Sequence, residues 1–191
     1  LTFHARSDAL EKCDIAGTNS KVHHCCQQLG SLGEPPSILG AVRTLLADLE
    51  GYETEAYRTN TLKGLDVRQV FIDDDLHLTL LDPGKLKSDY READLARFLV
   101  TCRILYWGTI PFFFRVVPHA SYETAFLRAY YGAGESREVL LHLLVIKELL
   151  KQWRMAYTII PLKPWPGPVK TLLKRTYVDP FYRQQIQLEL S

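Results

Sequence analysis

Apolar and polar positions along the chain alternate between two periods, and the shorter one sits in the middle. In Thr61–Gly84 (TLKGLDVRQVFIDDDLHLTLLDPG), Val70, Phe71 and Ile72 form a short apolar run. Leu76, Leu78 and Leu80 then alternate with His77, Thr79 and Leu81, the period of a half-buried strand. Asp73-Asp74-Asp75 between them predicts a turn, because Asp side chains bond nearby backbone N–H groups. The stretch ends in Asp82-Pro83-Gly84, where Pro fixes φ and Gly permits positive φ, so the chain bends sharply. An acid on such a loop at the mouth of a hairpin is placed to hold a metal or a phosphate, or to cap the helix that follows.

The rest of the chain follows the 3.6-residue period or no period. Leu1–Ala5 is expected to be a short strand, and Arg6–Asn19 is weakly patterned. Lys21–Gly30 is expected to be a helix with Val22, Cys25, Cys26 and Leu29 on one side. Ser37 is placed to cap a helix running to about Glu50, with Ile38, Val42, Leu45, Leu46 and Leu49 as its stripe and Gly51 as its stop. Tyr52–Asn60 is polar and is expected to be a loop.

Lys85–Trp107 is the strongest helical pattern. Asp89 with Glu92 matches a capping box, and Leu95, Phe98, Leu99, Cys102 and Leu105 form the stripe. Asp94 falls in its first turn, where an acid favours the helix dipole. Residues 108–120 are expected to be a buried apolar connector; the same residues exposed would mark a protein or lipid surface. Ser121–Tyr131 is expected to be a helix with Tyr122, Ala125, Phe126 and Ala129 inward, ended by Gly132-Ala133-Gly134. A long helix follows over Glu135–Tyr157, with Val139, Leu140, Leu143, Ile146, Leu149, Leu150 and Trp153 inward and His142 packed. Pro161–Pro168 is a stiff connector. A last helix over Val169–Leu190 is interrupted near Asp179-Pro180, since the residue before Pro disfavours helix. The fold class predicted is mainly α (α+β), helical with a central β-hairpin. It comprises a ragged segment over 1–36 and one domain over 37–191.

Composition narrows the function classes. With 191 residues, 47% apolar and 24% charged, the chain has the make-up of a soluble globular protein. A net charge of +1 argues against broad nucleic-acid binding. No segment reaches the about 20 apolar residues of a membrane span. The nearest, Ile104–Val117, is short and carries Gly108, Pro111 and Arg115. No signal-peptide pattern stands at the start, and a chain opening on Leu1 is expected to be processed, trimmed or a fragment. Cys13, Cys25, Cys26 and Cys102 are too sparse for a disulfide scaffold, so a reducing cytoplasm is expected. His23-His24-Cys25-Cys26 suggests zinc, but adjacent helical ligands cannot all reach one tetrahedral ion and no second pair stands at zinc spacing.

The chain lacks GxSxG, HExxH, a P-loop, GxGxxG and paired CxxC. What remains is an order of parts: helix, polar loop, strand, turn, strand, Asp-x-Gly loop, and a helix containing Asp94-Leu95-Ala96. Over roughly Ser37–Tyr157 this order resembles the C-terminal lobe of the aminoglycoside-phosphotransferase and lipopolysaccharide-kinase-like branch of the kinase-like fold. Arg68-Gln69-Val70-Phe71-Ile72 is similar to the family's Arg-Asn-Val-Leu-Val, and Asp82-Pro83-Gly84 stands at its metal-binding Asp-x-Gly. Asp94-Leu95-Ala96-Arg97-Phe98-Leu99 is similar to the helix whose Asp anchors the catalytic loop. Phe126–Gly132 and the long helix after it are similar to later family helices.

The resemblance implies ATP-dependent phosphoryl transfer to a small-molecule or sugar/lipid hydroxyl. Asp82 and Gln69 would hold Mg²⁺ and nucleotide, with Gly84 in the nucleotide loop and Asp94 as structural anchor. The chain departs from the family where the His-Gly-Asp motif would fall, on Leu62-Lys63-Gly64, so the acceptor-side base is missing. Asp66, two residues on, is the remaining candidate for that role. Arg68 would touch a phosphate or form a surface ion pair. Gln69 replaces an Asn. The residues before Ser37 contain no Gly-rich loop, strand Lys and helix Glu of a nucleotide lobe. The alternatives are a pseudokinase-like module that binds a protein partner, and an unrelated helical interaction protein.

Overall fold

A computed structural model describes residues 9–33, 36–50, 55–62, 65–81, 85–109, 120–131 and 139–191. The elements in chain order are β1 (Ala9–Lys12), α1 (Ile15–Ser31), α2 (Pro36–Asp48), β2 (Glu55–Leu62), β3 (Val70–Ile72), β4 (Leu78–Leu80) and β5 (Leu86–Tyr90). Five helices follow: α3 (Arg91–Thr109), α4 (Ala120–Tyr131), α5 (Val139–Ile159), α6 (Gly167–Leu173) and α7 (Asp179–Leu190). The described chain is mainly helical, with two small antiparallel sheets. It forms two compact units, one of Leu1–Lys12 with Glu55–Leu141, the other of Cys13–Thr54 with His142–Ser191.

In the first unit β2 is the centre of a three-stranded sheet ordered β1-β2-β5. Leu10 faces Tyr57 on one side, and Leu62 faces Leu86 on the other. The expected loop over Tyr52–Asn60 is therefore strand from Glu55 on. The described buried positions of β2 are Ala56, Thr59, Thr61 and Leu62, with a single large apolar side chain among them to show in the sequence. Thr can be buried there because its hydroxyl finds an acceptor: Thr61 Oγ1 donates to the Lys87 carbonyl at 3.2 Å. Strand pairing also overrides the helix expected from Lys85. Leu86–Tyr90 lies on β2, and α3 starts only at Arg91. Asp89 thus sits on the strand, and its carboxylate accepts from Lys87 Nζ and the Tyr90 N–H.

The hairpin forms where expected, with Ile72 facing Leu78 and Val70 facing Leu80. Asp73 Oδ1 accepts from the N–H groups of Asp75 and His77, which fixes the turn. Leu76 takes a left-handed φ of 63°. The expected half-burial is absent: Ile72 and Leu78 are each 62% exposed.

On α3, Leu95 and Leu99 are buried as expected, but Leu105 is exposed, and Asp94 and Arg103 are buried with them. Arg103 decides how α4 sits. Its Nη2 and Nε reach the Glu123 carboxylate at 2.6 and 3.0 Å. Glu123 and Leu127 therefore face inward, while Tyr122, Ala125 and Ala129 face solvent. The expected inward face is off by one residue, about 100° of helix, because an acid rather than an apolar side chain sets it. The apolar connector expected at 108–120 falls largely outside the described residues.

The second unit is helical. α1 begins at Ile15, earlier than Lys21, because Asp14 caps it through Gly17 N–H at 2.8 Å. A Cβ on Gly17 would stand 2.2 Å from that carboxylate, so a larger residue there would make the Asp14 side chain shift. Ile15, Thr18, Val22, Cys26 and Leu29 form its buried stripe. On α2, Leu39, Val42 and Leu46 are buried. α5 supplies Leu143, Leu144, Val145, Ile146, Leu149, Leu150 and Trp153, all buried. Trp153 stacks on Tyr182 of α7 at 5.8 Å, and both Trp153 Nε1 and the Tyr157 hydroxyl donate to Asp179 Oδ1. His142 Nδ1 lies 2.8 Å from Glu189 Oε2. The expected break at Asp179-Pro180 is a π-helical turn, Lys174–Val178, joining α6 to α7.

Candidate functional site

Of the residues singled out in the sequence, Asp66, Arg68 and Gln69 lie on the segment that runs from Leu62 into the hairpin, and Asp94 lies on α3, which supports it. Two side chains of α3 hold this segment. Asp94, buried in the first turn, accepts the Leu62 N–H on Oδ2 at 2.9 Å. Thr101 Oγ1 accepts the Val67 N–H at 3.2 Å and donates to the Phe98 carbonyl. Seven residues apart, Asp94 and Thr101 lie two turns along one helix face, about 10 Å. A helix-dipole role for Asp94 is thus joined by a bond to a backbone group 32 residues away.

Asp66 caps a 3-10 turn, Val67–Gln69. Its Oδ1 accepts from Arg68 N–H and Nε, each at 2.9 Å, and its Oδ2 from Arg68 Nη2 at 2.5 Å. These bonds from Arg68 hold the carboxyl below the usual range and outweigh the opposing effect of burial. A general base works best with a raised pKa and a lone pair aimed at its substrate. Asp66 has three of its acceptor sites taken by Arg68 and its basicity lowered. Arg68 forms the local ion pair rather than standing free for a phosphate.

Gln69 ends the 3-10 turn. Its carbonyl accepts the Leu81 N–H at 2.8 Å, closing the hairpin base. Its half-buried side-chain amide makes no hydrogen bond among the described residues. Asp82 and Gly84 lie outside the described residues. The chain on either side is tied to the same segment: Leu81 to Gln69, and Leu86 to Leu62. Lys63 and Gly64 also lie outside the described residues.

Between α3 and α4 is an apolar cleft of about 470 Å³ that the sequence did not announce, lined by Val67, Phe98, Cys102, Tyr106, Tyr122 and Phe126 among others. Phe98 and Phe126 meet with ring centroids 4.9 Å apart. No periodicity signals this cleft, because it depends on the rotation of α4 that Glu123 imposes. Among the described residues no group of three His, Cys, Asp or Glu is placed to hold a metal. His23 and His24 are exposed, and burial pushes the thiols of Cys26 and Cys102 up to about 11. Comparison with known proteins gives no match to this chain, whether by family model, by curated sequence or by solved structure.

Proposed function

We propose that the chain is a kinase-like C-terminal lobe, built to hold the metal–phosphate side of an ATP-dependent phosphotransferase acting on a small-molecule or sugar/lipid hydroxyl. The observation that carries this reading is the buried Asp94 carboxylate on the Leu62 N–H at 2.9 Å. A helix acid that fixes the start of a loop, with a hairpin running from the loop's end, is what the resemblance requires of its anchor. The donor set suits the ion: a carboxylate from Asp82 and a neutral amide oxygen from Gln69 are hard oxygen ligands of the kind Mg²⁺ takes alongside phosphates. Mg²⁺, when bound, would neutralise charge on the transferred phosphoryl group. The chain's own residues orient it: Asp94 and Thr101 fix the loop, and the Leu81–Gln69 bond fixes the hairpin that leads to Asp82.

A second reading, a pseudokinase-like module that binds without transferring, is favoured by the state of Asp66. Gly64 stands where the base belongs, and the Asp66 carboxylate, its basicity lowered by three bonds from Arg68, is a poor substitute. Calorimetric titration with ATP, with and without Mg²⁺, tests both. Saturable Mg²⁺-dependent binding that Asp82→Asn abolishes supports a retained nucleotide–metal site, and hydroxyl-acceptor assays then separate transfer from binding alone. Absence of binding up to millimolar ATP removes the nucleotide reading and leaves a degenerate lobe that binds a protein partner or an unrelated helical interaction protein.

A further inference from the structure

We infer that the segment from the end of α5 through α6 is a docking surface for an anionic lipid bilayer. Leu162 is 82% exposed, Leu172 61% and Trp165 44%, with Ile159 and Val169 also exposed. A run of large apolar side chains in solvent marks an interaction surface. The same stretch, Ile159–Val178, carries Lys163, Lys170, Lys174 and Arg175 and no acid, within a chain whose net charge is only +1. Apolar anchors with Trp among them and a cationic surround are the composition that lies in a bilayer interface, the bases drawn to anionic headgroups. No described helix is long and apolar enough to cross a membrane, so the attachment is to one face.

The segment is held in shape before it binds. Pro161, Pro164, Pro166 and Pro168 restrict its backbone. Lys170 Nζ donates to the Pro161 carbonyl at 2.8 Å, folding α6 back beside Leu162. Lys174 Nζ sits 3.3 Å from the centroid of the Tyr157 ring. Little ordering remains to be done on docking. Charge also discriminates between occupants: a second copy would set four bases against four, whereas an anionic bilayer complements them. This surface is independent of the nucleotide reading.

Flotation with phosphatidylcholine vesicles, with and without phosphatidylserine, tests it. The chain is expected to float only with phosphatidylserine, with Trp165 emission shifting to the blue and binding falling as salt rises. Lys163→Gln with Arg175→Gln should weaken partition by roughly 30-fold, about fivefold per basic residue. Leu162→Gln with Trp165→Gln should abolish it. All four side chains are exposed, so the thermal melts of these variants should match wild type. Equal flotation with neutral vesicles, no flotation, or variants that partition like wild type would overturn the proposal. So would a concentration-dependent dimer lost in Leu162→Gln with Trp165→Gln, which would assign the surface to contact between copies.

Discussion

The Asp66 carboxylate takes three hydrogen bonds from one neighbour, Arg68, and this sets its pH behaviour. Its folded pKa is lowered, first by the Arg68 side-chain bonds. The ionised form therefore stabilises the fold. That stabilisation is complete above the ordinary carboxylate range and is lost as pH falls through the depressed folded value. Asp66→Asn is expected to cost about 1 kcal/mol at neutral pH, a modest figure because the Arg68 side chain is largely exposed. The difference should vanish in strong acid. Urea melts of both proteins across a pH series check this, and a gap that widens on acidification would reverse the sign. The sequence marked Asp66 and Asp94 as acids to watch. It could not say that one is spent on its neighbour and the other bonded 32 residues away, because hydrogen-bond partners are set by the tertiary fold.

At the scale of elements, what was legible had a strong local signal. The hairpin, α2, α5 and the break before Pro180 were all visible in periodicity or in Pro. β2 and β5 were not: β2 buries Ala56, Thr59 and Thr61 with Leu62 as the one large apolar residue among its described buried positions, and β5 is strand only because β2 is beside it. The face of α4 was missed because Glu123 is buried against Arg103, and periodicity counts an acid as outward. That pair gives a test. Arg103→Met alone takes two charge-assisted bonds from a buried carboxylate and is expected to cost roughly 3–5 kcal/mol. Adding Glu123→Leu should recover most of it. A double-mutant cycle from denaturant midpoints measures the coupling, and strictly additive losses would mean the pair does not set the α4 face.

For the molecule as a whole, stability is expected to be concentrated in the buried helices rather than in the sheet that first draws the eye. Leu149 on α5 is fully buried, and Leu149→Ala should cost roughly 2–5 kcal/mol. Ile72→Thr on the exposed hairpin should stay within about 0.5 kcal/mol of wild type. Comparable losses from both substitutions would mean the hairpin is covered in solution. Gln69, half-buried at the base of that exposed hairpin, carries little of the core, so a substitution there can be read as an effect on binding.

The π-helical turn before α7 has a consequence for how this chain can change length. Pro180 has no N–H to offer the carbonyl of Thr176, and the helix accommodates it by widening: Asp179 N–H bonds to the Lys174 carbonyl, five residues back. A widened turn is an α-helix that has absorbed one extra residue. Removing that residue would narrow the turn, press the Pro180 ring against the carbonyl four residues back and swing α7 by about 100°. Phe181, Tyr182 and Ile186 would leave the positions they fill, and Asp179 would leave Trp153 and Tyr157. The core is fitted around the wide turn, so any chain that shares this packing should keep the same residue count from Lys174 to Asp179.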